Sequence, residues 1–442
     1  MRRVLTLLAA TTLGLSALVS PVVASTDGPV VFAVENVVDL YAAVSVPGAI
    51  VNVAPGEYVL DPALDPSPPH DGRLDLADGV DLRGPARLSA GPHGLPNTDA
   101  LGAPVWNGAP ATIDASNLSV DPFGSGVVVI GDKGTVSDLQ IRGSVDPSSP
   151  NPFNGRPGIE ITALGTVTGN VVERTTVGIR VRADSGEEVS GTVARNFVSD
   201  GLMGVVAIAV GTDDFTSGAS ITASFRANRI MRVAFNGILL GGGLSGDDNV
   251  MSVQTSDNLI QFAGLGMFVE NRGGGGLDPN PSTISGASRN RVTFTSTRDS
   301  FIDVEGGYLI SGAIREYVVD PGGGPPLIGE ESNDNTIVGT IHGATIQNFG
   351  CSFCFDIVAA AATTAVFPPP ADAPVSGFNN VVTLTLRDIQ GSGTTGIVFL
   401  ADSTPVAPGS GNDVAIVGSR EHNEETNTGL DFSLVGDGDF TK

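Results

Sequence analysis

Two acidic residues, Asp303 and Glu305, stand two positions apart in a run that alternates apolar and acidic side chains, as a half-buried strand does. On a strand, such residues lie on the same side, with Cα atoms about 6.5 to 7 Å apart. Carboxyl groups at separations of this order serve as acid and as base or nucleophile in glycoside hydrolysis. Both residues are therefore candidate catalytic groups. The alternative is that they are solvated charges on the face of a sheet.

Glu270 and Phe268 belong to a similar run that begins at Met267. If the two runs stack as equivalent strands of a repeat, Glu270 lies about 5 Å from Glu305 and becomes a third catalytic candidate. Phe268 is expected to point outward, where its ring could stack on a substrate sugar. The alternative is that a neighbouring loop, residues 273–288, covers it.

Glu160, Arg180 and Arg182 are the other charged residues that alternation places on the outside of such strands. They form a basic pair next to a substrate-binding candidate, Glu160. The simpler interpretation is that both arginines pair with Glu160 from a neighbouring strand.

Two pairs of aspartates lie beside glycines in predicted loops and could bind Ca²⁺ through their oxygens: Asp213 with Asp214, and Asp247 with Asp248. Neither pair has an EF-hand pattern, so solvated surface charge is the alternative. Ca²⁺ is the one cofactor that the sequence suggests.

Cys351 and Cys354, in the motif CSFC, are the only cysteines. We expect a local disulfide between them, which removes little chain entropy because the loop is short. Redox catalysis would need a thioredoxin-like context, and zinc would need more ligands than these two and His342.

The elements that must position these residues form an internal repeat. In each unit an Asn precedes a short apolar strand, and a Gly eight to ten residues later precedes another. The units are Asn170 with Gly178, Asn196 with Gly204, Asn228 with Gly237, Asn258 with Gly266, and Asn290 with Ser300 as a degenerate fifth. The pattern resumes at Asn335, Asn380 and Asn412. Alternation sends one set of residues inward: Ile159, Ile161, Ile179, Val181, Ile238, Leu240, Met267, Val269, Ile302 and Val304.

This spacing is typical of a solenoid in which each coil makes one circuit of about 20 to 30 residues, so the chain predicts roughly 10 to 12 coils. Asn suits a corner because it tolerates left-handed backbone and its amide can bond to the coils above and below. Three Gly- or Pro-rich interruptions, 273–288, 306–333 and 359–377, are predicted to be loops that wall a cleft.

The stretch from Val34 to Leu60 reads as an amphipathic helix, a stop at Pro47-Gly48, a strand, and the turn Pro55-Gly56-Glu57-Tyr58. This order resembles the N-terminal cap of the pectate-lyase-like right-handed parallel β-helices, the superfamily of parallel β-helix repeat proteins. The resemblance implies an all-β fold, a right-handed parallel β-helix with an N-terminal capping helix. Such a cap closes a stack that would otherwise end in unpaired backbone groups.

The same resemblance implies polysaccharide as the substrate class. Lyases of this superfamily use Ca²⁺ held by carboxylates, and an Arg or Lys that removes the proton, a role open to Arg180 or Arg182. No stretch of this chain matches the lyase catalytic motifs or the aspartate signatures of polygalacturonases, so the fold does not bring the activity with it.

The N-terminus, with Met1-Arg2-Arg3 and an apolar run to Val19, predicts a secretory signal over residues 1–24. A single β-helix domain is expected over residues 25–442, closed by a C-terminal tail over residues 421–442. The formal charge of −25 becomes −27 when Arg2 and Arg3 leave with the signal, which argues against nucleic-acid partners. No later segment predicts a membrane span, and we expect a monomer.

Together these features predict a secreted protein that binds, and by lyase or hydrolase chemistry cleaves, an extracellular polysaccharide. The alternative is a non-catalytic, surface-exposed carbohydrate-binding or structural solenoid. The sequence leaves open whether the protein is an enzyme.

Overall fold

The computed structural model describes the greater part of the chain after residue 27. The described residues are 28–65, 71–122, 124–145, 154–210, 217–244, 246–272, 286–315, 317–318, 327–328, 330–348, 354–361, 363–364, 377–391, 397–400, 411–418, 423–425, 433–435 and 440–441. The predicted signal, residues 1–24, lies outside them. No helix within these ranges has the length and apolar character needed to cross a bilayer.

Short strands dominate the structure. In chain order the elements are β1 (Val31–Val34), α1 (Val37–Val44), β2 (Ile50–Val53), β3 (Gly56–Val59), a 3₁₀ turn (Pro62–Leu64), β4 (Leu74–Leu76), β5 (Asp81–Arg83), β6 (Arg87–Leu88), a second 3₁₀ turn (Pro92–Gly94), β7 (Trp106–Asn107), β8 (Ala111–Asp114), β9 (Val128–Ile130), β10 (Gly134–Ser137), β11 (Gln140–Arg142), β12 (Ile159–Ile161), β13 (Leu164–Thr168), β14 (Val171–Glu173), β15 (Val177–Ala183), β16 (Glu188–Ala194), β17 (Phe197–Ser199), β18 (Met203–Ala209), β19 (Ser220–Arg226), β20 (Arg229–Leu244), β21 (Val250–Ser256), β22 (Leu259–Arg272), β23 (Arg291–Thr297), β24 (Ser300–Arg315), β25 (Tyr317–Val318), β26 (Leu327–Ile328), β27 (Thr336–His342), β28 (Thr345–Asn348), β29 (Phe355–Ala360), β30 (Thr363–Thr364), β31 (Val381–Arg387), β32 (Ile389–Gly391), β33 (Ile397–Leu400), β34 (Asp413–Gly418), β35 (Asn423–Glu425), β36 (Ser433–Val435) and β37 (Phe440–Thr441).

Most of these strands stack into three parallel walls, whereas β6 with β7 and β25 with β26 form two separate antiparallel pairs. Wall A contains β1, β2, β5, β10, β13, β16, β19, β21, β23, β27, β31, β34 and β37. Wall B runs β3, β8, β11, β14, β17, β20, β22, β24, β28, β32, β35, and wall C runs β4, β9, β12, β15, β18, β20, β22, β24, β29, β33, β36. Walls B and C join into one sheet because β20, β22 and β24 continue around the corner between them.

The chain visits the walls in the order A, B, C, and it completes 11 such circuits within the described residues, from β2–β3–β4 to β34–β35–β36. This agrees with the predicted number of coils. The predicted fold class, a parallel β-helix with an N-terminal helix, is confirmed. The described parts of residues 421–442 add β35, β36 and β37 to walls B, C and A, so they extend the stack.

Helix α1 closes the front of the stack. The Asn36 side chain accepts a hydrogen bond from the backbone N–H of Asp39 at 2.9 Å and so caps the helix N-terminus. Leu40 and Val44 are buried in the same apolar core as Val51 of wall A. The helix was expected to begin at Val34, but Val31–Val34 forms β1, which pairs in parallel with β2. The β-branched run before the cap residue therefore extends the sheet instead of the helix.

Asparagines line the corner between walls A and B. Each side-chain oxygen accepts from the backbone N–H of the equivalent residue one coil earlier, from Asn170 through Asn196 and Asn228 to Asn258, at 3.0 to 3.1 Å. The next position holds Asp299, whose Oδ1 accepts from Asn258 at 2.9 Å. All of these residues are buried. Satisfying their polar groups requires that every coil stay in register.

A second ladder lines the corner between walls C and A. It runs from Asn249 through Asn290, Asn335 and Asn380 to Asn412, with backbone-to-side-chain bonds of 2.9 to 3.0 Å. The prediction that Asn290 and Ser300 form a fifth unit of the first repeat was therefore wrong. Asn290 belongs to this corner, and the residue that continues the first ladder is Asp299, which an Asn-based pattern does not detect.

The glycine column lies at the corner between walls B and C. A Cβ on each of these glycines would press against a backbone carbonyl of the next coil. The column runs Gly158, Gly178, Gly204, Gly237, Gly266 and Gly307. Residues 306–315, predicted to be part of a loop, instead form the second half of β24, because Gly307 extends the column. Phe355–Ala360 likewise is a strand, so the predicted interruption 359–377 begins too early. Residues 273–285 and 365–376 lie outside the described residues.

We expect Asn228→Ala to destabilise the protein by about 3 kcal/mol, because it removes four buried hydrogen bonds, among them the bond that the backbone N–H of Asn196 donates to Asn228. Urea unfolding measures the loss. The control is Asn52→Ala, an exposed residue of β2 that should have little effect. Equal losses in the two variants would contradict a structural role for the ladder.

Asp299 provides a pH test of the same ladder. Burial raises its pKa, although Ser296, Thr255 and Asn258 all donate hydrogen bonds to its carboxyl group. The unfolded state therefore ionises first, and stability should fall as pH rises from about 4 towards the folded-state pKa, by up to about 1.4 kcal/mol per pH unit. Asp299→Asn should remove this loss in unfolding experiments at several pH values. An unchanged pH dependence in the variant would rule out ionisation of Asp299 as its source.

Candidate functional site

The outer face of wall C is the surface on which the sequence placed its candidate residues. Nine of the ten residues expected to point inward are buried: Ile159, Ile161, Ile179, Val181, Ile238, Leu240, Met267, Val269 and Val304. Ile302 is the exception, because it pairs with Gln261 on wall B and is partly exposed. The inward and outward alternation is therefore correct for the wall C strands β12, β15, β20 and β22, and it fails near residue 303.

The predicted carboxylate group of Asp303, Glu305 and Glu270 does not form. Met267 pairs with Tyr308 and Glu270 with Ser311, so the equivalents of the 267–270 run lie at 308–311. Asp303 has a φ of +56° at the corner between walls B and C, which breaks the alternation that would place it beside Glu305. Glu305 is exposed, next to the corner. The error is a register slip, because the sequence shows no glycine before Ile302 and the true column residue is Gly307.

Glu270 and Phe268 lie on the outer face of wall C as expected, but both are buried. Glu270 is 3% exposed and pairs with Arg272, with Oε2 3.1 Å from Nε. Phe268 is 8% exposed and packs in an apolar patch with Val206 and Leu239. The Phe268 ring therefore offers no open face for stacking on a sugar.

Glu160 is held by Arg180 and Arg182, as the simpler interpretation predicted. Its Oε1 lies 2.9 Å from Nη2 of Arg180 and 3.4 Å from Nη1 of Arg182. Its Oε2 accepts from the backbone N–H of Gly126 at 2.8 Å. Arg180 also donates to the Gly124 carbonyl, and burial lowers the pKa of Arg180 despite the Glu160 charge. All three charged side chains are almost fully buried, so this cluster supports the coil packing and does not face a substrate.

A more open group of charges lies on the same wall, two coils towards the N-terminus, and the sequence reasoning missed it. Asp75 points outward from β4. In the register of wall C it pairs with Val129 of the next coil, and Val129 pairs in turn with Glu160. Arg73 binds Asp75, with Nε 2.7 Å from Oδ1, and its Nη1 lies 3.8 Å from Oδ2 of Asp71. The available signal was the alternation Asp71-Gly72-Arg73-Leu74-Asp75, which sends three charged residues to one side.

Arg156 completes this group, which we call the acidic pair site and define as Asp71, Arg73, Asp75 and Arg156. Its Nη1 lies 2.8 Å from Oδ2 of Asp71, and its Nε donates to the Ser119 carbonyl at 2.8 Å. Arg156 is buried, whereas the side chains of Asp71 and Asp75 are 22% and 35% exposed. The two carboxyl groups are therefore accessible to a ligand, and the buried arginine holds one of them in place.

The two carboxyl groups of the acidic pair site have pKa values shifted in opposite directions. Burial raises the pKa of Asp75, with Arg73 opposing and the Asp71 charge adding to the rise. Burial also acts to raise the pKa of Asp71, but the hydrogen bond and charge of Arg156 outweigh it and lower that pKa. Such a division is the arrangement by which one carboxyl group stays protonated while its neighbour is ionised.

The residues described do not fit Ca²⁺. Asp247 and Asp248 both bind Arg289, at 3.0 and 2.8 Å, so a guanidinium already occupies their oxygens. Asp213 and Asp214 lie outside the described residues. Within the described ranges no three residues of the His, Cys, Asp or Glu types are arranged to hold a metal ion. In the acidic pair site, Arg73 lies between the carboxylates where a cation would have to sit.

Cys354 is buried and disulfide-bonded, which agrees with the expected local bond. Cys351, the other cysteine of the chain, lies outside the described residues.

Known proteins resemble the chain in fold only. No protein-family model and no curated protein sequence matches it. Among solved structures, a GH87 α-1,3-glucanase catalytic unit from Streptomyces thermodiastaticus is 14% identical with a TM-score of 0.37, over 93% of this chain and 70% of that one. The A-module of an Azotobacter vinelandii mannuronan C-5 epimerase is 12% identical with a TM-score of 0.34, over 92% and 100%. A PL6 alginate lyase, solved with a trisaccharide, is 13% identical with a TM-score of 0.35, over 93% and 97%. At these values the site itself must carry any functional conclusion.

We expect Glu160→Gln to destabilise the protein by about 3 kcal/mol, because it removes the buried carboxylate that binds Arg180 and leaves Arg182 with Asp184 as its carboxylate partner. Denaturant unfolding measures the loss. The control is Asp248→Asn, which removes one carboxylate from an exposed ion pair and should leave stability unchanged within error. If Glu160→Gln were as stable as the unmodified protein, the buried cluster would not support the coil packing.

Proposed function

We propose that the protein acts on an extracellular polysaccharide at the acidic pair site on wall C, by glycoside hydrolysis. The observation that supports this most directly is geometric, because two neighbouring, partly exposed carboxyl groups flank the Arg73 side chain and the buried Arg156 holds one of them. Burial raises the pKa of Asp75, whereas Arg156 lowers the pKa of Asp71. Both carboxyl groups lie within reach of the same arginine side chain. Glycosidases use two such carboxyl groups, roughly 5 to 9.5 Å apart, as acid and as base or nucleophile.

In this proposal Asp75 is the general acid. Burial raises its pKa, which favours the protonated form that must donate to the leaving oxygen of the glycosidic bond. Asp71 is the ionised partner, acting as the base that activates water or as the nucleophile, because Arg156 and Arg73 stabilise its charge. Arg156 also fixes the position of Asp71 through its bond to the Ser119 carbonyl.

The geometry favours hydrolysis over the lyase alternative. A lyase would need a free base next to the proton of a uronate, and the residues expected for that role were Arg180 and Arg182. Both are buried, and both are paired with Glu160. A guanidinium that keeps its proton in an ion pair is a poor base.

The extracellular setting is part of the proposal. It rests on the basic and apolar N-terminus with small residues before Ser25. Export would put the outer wall in contact with polymeric substrates.

A second candidate function is a non-catalytic carbohydrate-binding or structural solenoid. It is favoured by the burial of Phe268, Glu160 and Glu270, which removes most of the expected residues of wall C from contact with a ligand. On this hypothesis Arg73 and Arg156 serve only to neutralise the carboxylates beside them.

We expect Asp75→Asn and Asp71→Asn each to lower kcat at least about 100-fold, because each removes one partner in proton transfer or nucleophilic attack. Activity should follow a bell-shaped pH profile, rising as Asp71 ionises and falling as Asp75 loses its proton. Release of reducing ends from a panel of neutral and acidic glycans measures the reaction, and absorbance of unsaturated products reports the lyase alternative.

The control for these variants is Asp248→Asn, a carboxylate that an arginine also binds but on a different corner of the stack. Its activity should equal that of the unmodified protein. Binding to glycans without turnover of any of them would favour the second candidate function. Full activity in Asp75→Asn would exclude Asp75 as the acid.

A further inference from the structure

A cleft of about 380 Å³ lies on a different wall from the acidic pair site. Its floor is the outer face of wall A where β5, β10 and β13 pair side by side, and its side is the segment 87–96. That volume is within the usual range of pockets for small ligands, which is roughly 300 to 1,000 Å³. We call it the arginine cleft.

The segment that walls the cleft is folded against the body of the stack. Strands β6 and β7 pair in antiparallel fashion, and Leu88 and Trp106 pack on Phe197 and Met231 of wall B. Further along the segment, Thr98 accepts a hydrogen bond from Nη1 of Arg229 at 2.6 Å. The side of the cleft is therefore held in position by the coils beneath it.

Three arginines line the cleft. Arg83 binds Asp81, Nε of Arg87 lies 3.7 Å from Oδ2 of Asp138, and Nη2 of Arg195 donates to Thr168 at 3.3 Å. Each guanidinium carries five N–H donors, so these contacts leave most donors of Arg87 and Arg195 available. In a chain with a net charge of −25 and only 23 basic residues, this convergence makes a local site for an anionic group.

The same cleft also presents acceptors. The Asp81 side chain is 26% exposed, and because its Oδ1 is buried, the oxygen that a ligand can reach is Oδ2, which also accepts from Arg83. Asp138 lies at the corner, and burial raises its pKa although three arginines oppose the rise. A ligand that carried only negative charge would be repelled by these two carboxyl groups. A ligand with one carboxylate and several hydroxyl groups would satisfy both the guanidinium donors and the Asp81 acceptor.

We propose that the arginine cleft binds a sugar acid unit of a glycan, with its carboxylate on Arg87 and Arg195 and a ring hydroxyl donating to Oδ2 of Asp81. The site is a second one, on wall A, and it rests on the proposed function only in taking the ligand to be a saccharide. Its role is to hold an acidic chain on the outside of the stack, apart from the carboxyl groups on wall C.

Isothermal titration calorimetry with trimers of galacturonate and of galactose tests this proposal. We expect the galacturonate trimer to bind at least 10-fold more tightly than the neutral trimer. The double variant Arg87→Gln/Arg195→Gln should weaken galacturonate binding at least 10-fold. The matched control is Arg289→Gln, an exposed, carboxylate-bound arginine outside the cleft, which should bind as the unmodified protein does. If the double variant misfolds, the single variant Arg87→Gln replaces it, because that side chain is 86% exposed.

Two further measurements separate sugar recognition from simple anion binding. Asp81→Asn should weaken binding of the galacturonate trimer several-fold and leave binding of acetate unchanged. Asp75→Asn should leave binding in the cleft unchanged, so that loss of glycan cleavage and loss of cleft binding are distinguishable.

The proposal is overturned if the galacturonate trimer fails to bind, if it binds equally well to the double variant, or if acetate and the trimer respond alike to Asp81→Asn.

Discussion

The structure depends on the hydrogen bonds between buried side-chain amides of successive coils. Each Asn at the corner between walls A and B accepts from the backbone N–H of the coil before it, and a second row does the same between walls C and A. Leaving a buried amide without hydrogen-bond partners lowers the free energy of unfolding by about as much as a typical point mutation does. Successive coils must therefore lie directly above one another, at the strand separation of about 4.8 Å. This requirement fixes the register of all three walls.

Register in turn decides which charged residues meet. Glu160 and Arg180 occupy equivalent positions on consecutive coils, so they contact each other across the wall. Asp303 and Glu270, which looked equivalent, are separated because Gly307 and not a residue near 300 continues the glycine column. On wall C the result is a buried cluster around Glu160 and, two coils away, a partly exposed cluster around Arg73. The open cluster, around Arg73, combines accessible carboxyl groups with pKa values shifted in opposite directions.

The excursions from the stack give each wall a different surface. The segment between β5 and β8 packs its Leu88 and Trp106 on wall B and leaves a cleft over wall A. The three arginines of that cleft come from β5, from the excursion itself and from the corner after β16, which are distant in sequence. A solenoid can carry independent sites in this way, because each wall presents its own row of outward side chains.

Much of the architecture was predictable from the sequence. The spacing of Asn and Gly, the β-branched runs and the helix before Pro47 determined the solenoid, its approximate number of coils and the cap. These features are local, and each coil repeats the same short-range preferences. Only the tertiary structure decided which coil carries Gly307 and Asp299 in the columns, that Arg180 and Arg182 are both held by Glu160, and that Asp71 and Asp75 share Arg73. Those outcomes depend on register and burial, because a slip of a few residues in one coil moves a carboxylate to another corner. Neither register nor burial is encoded in any single repeat.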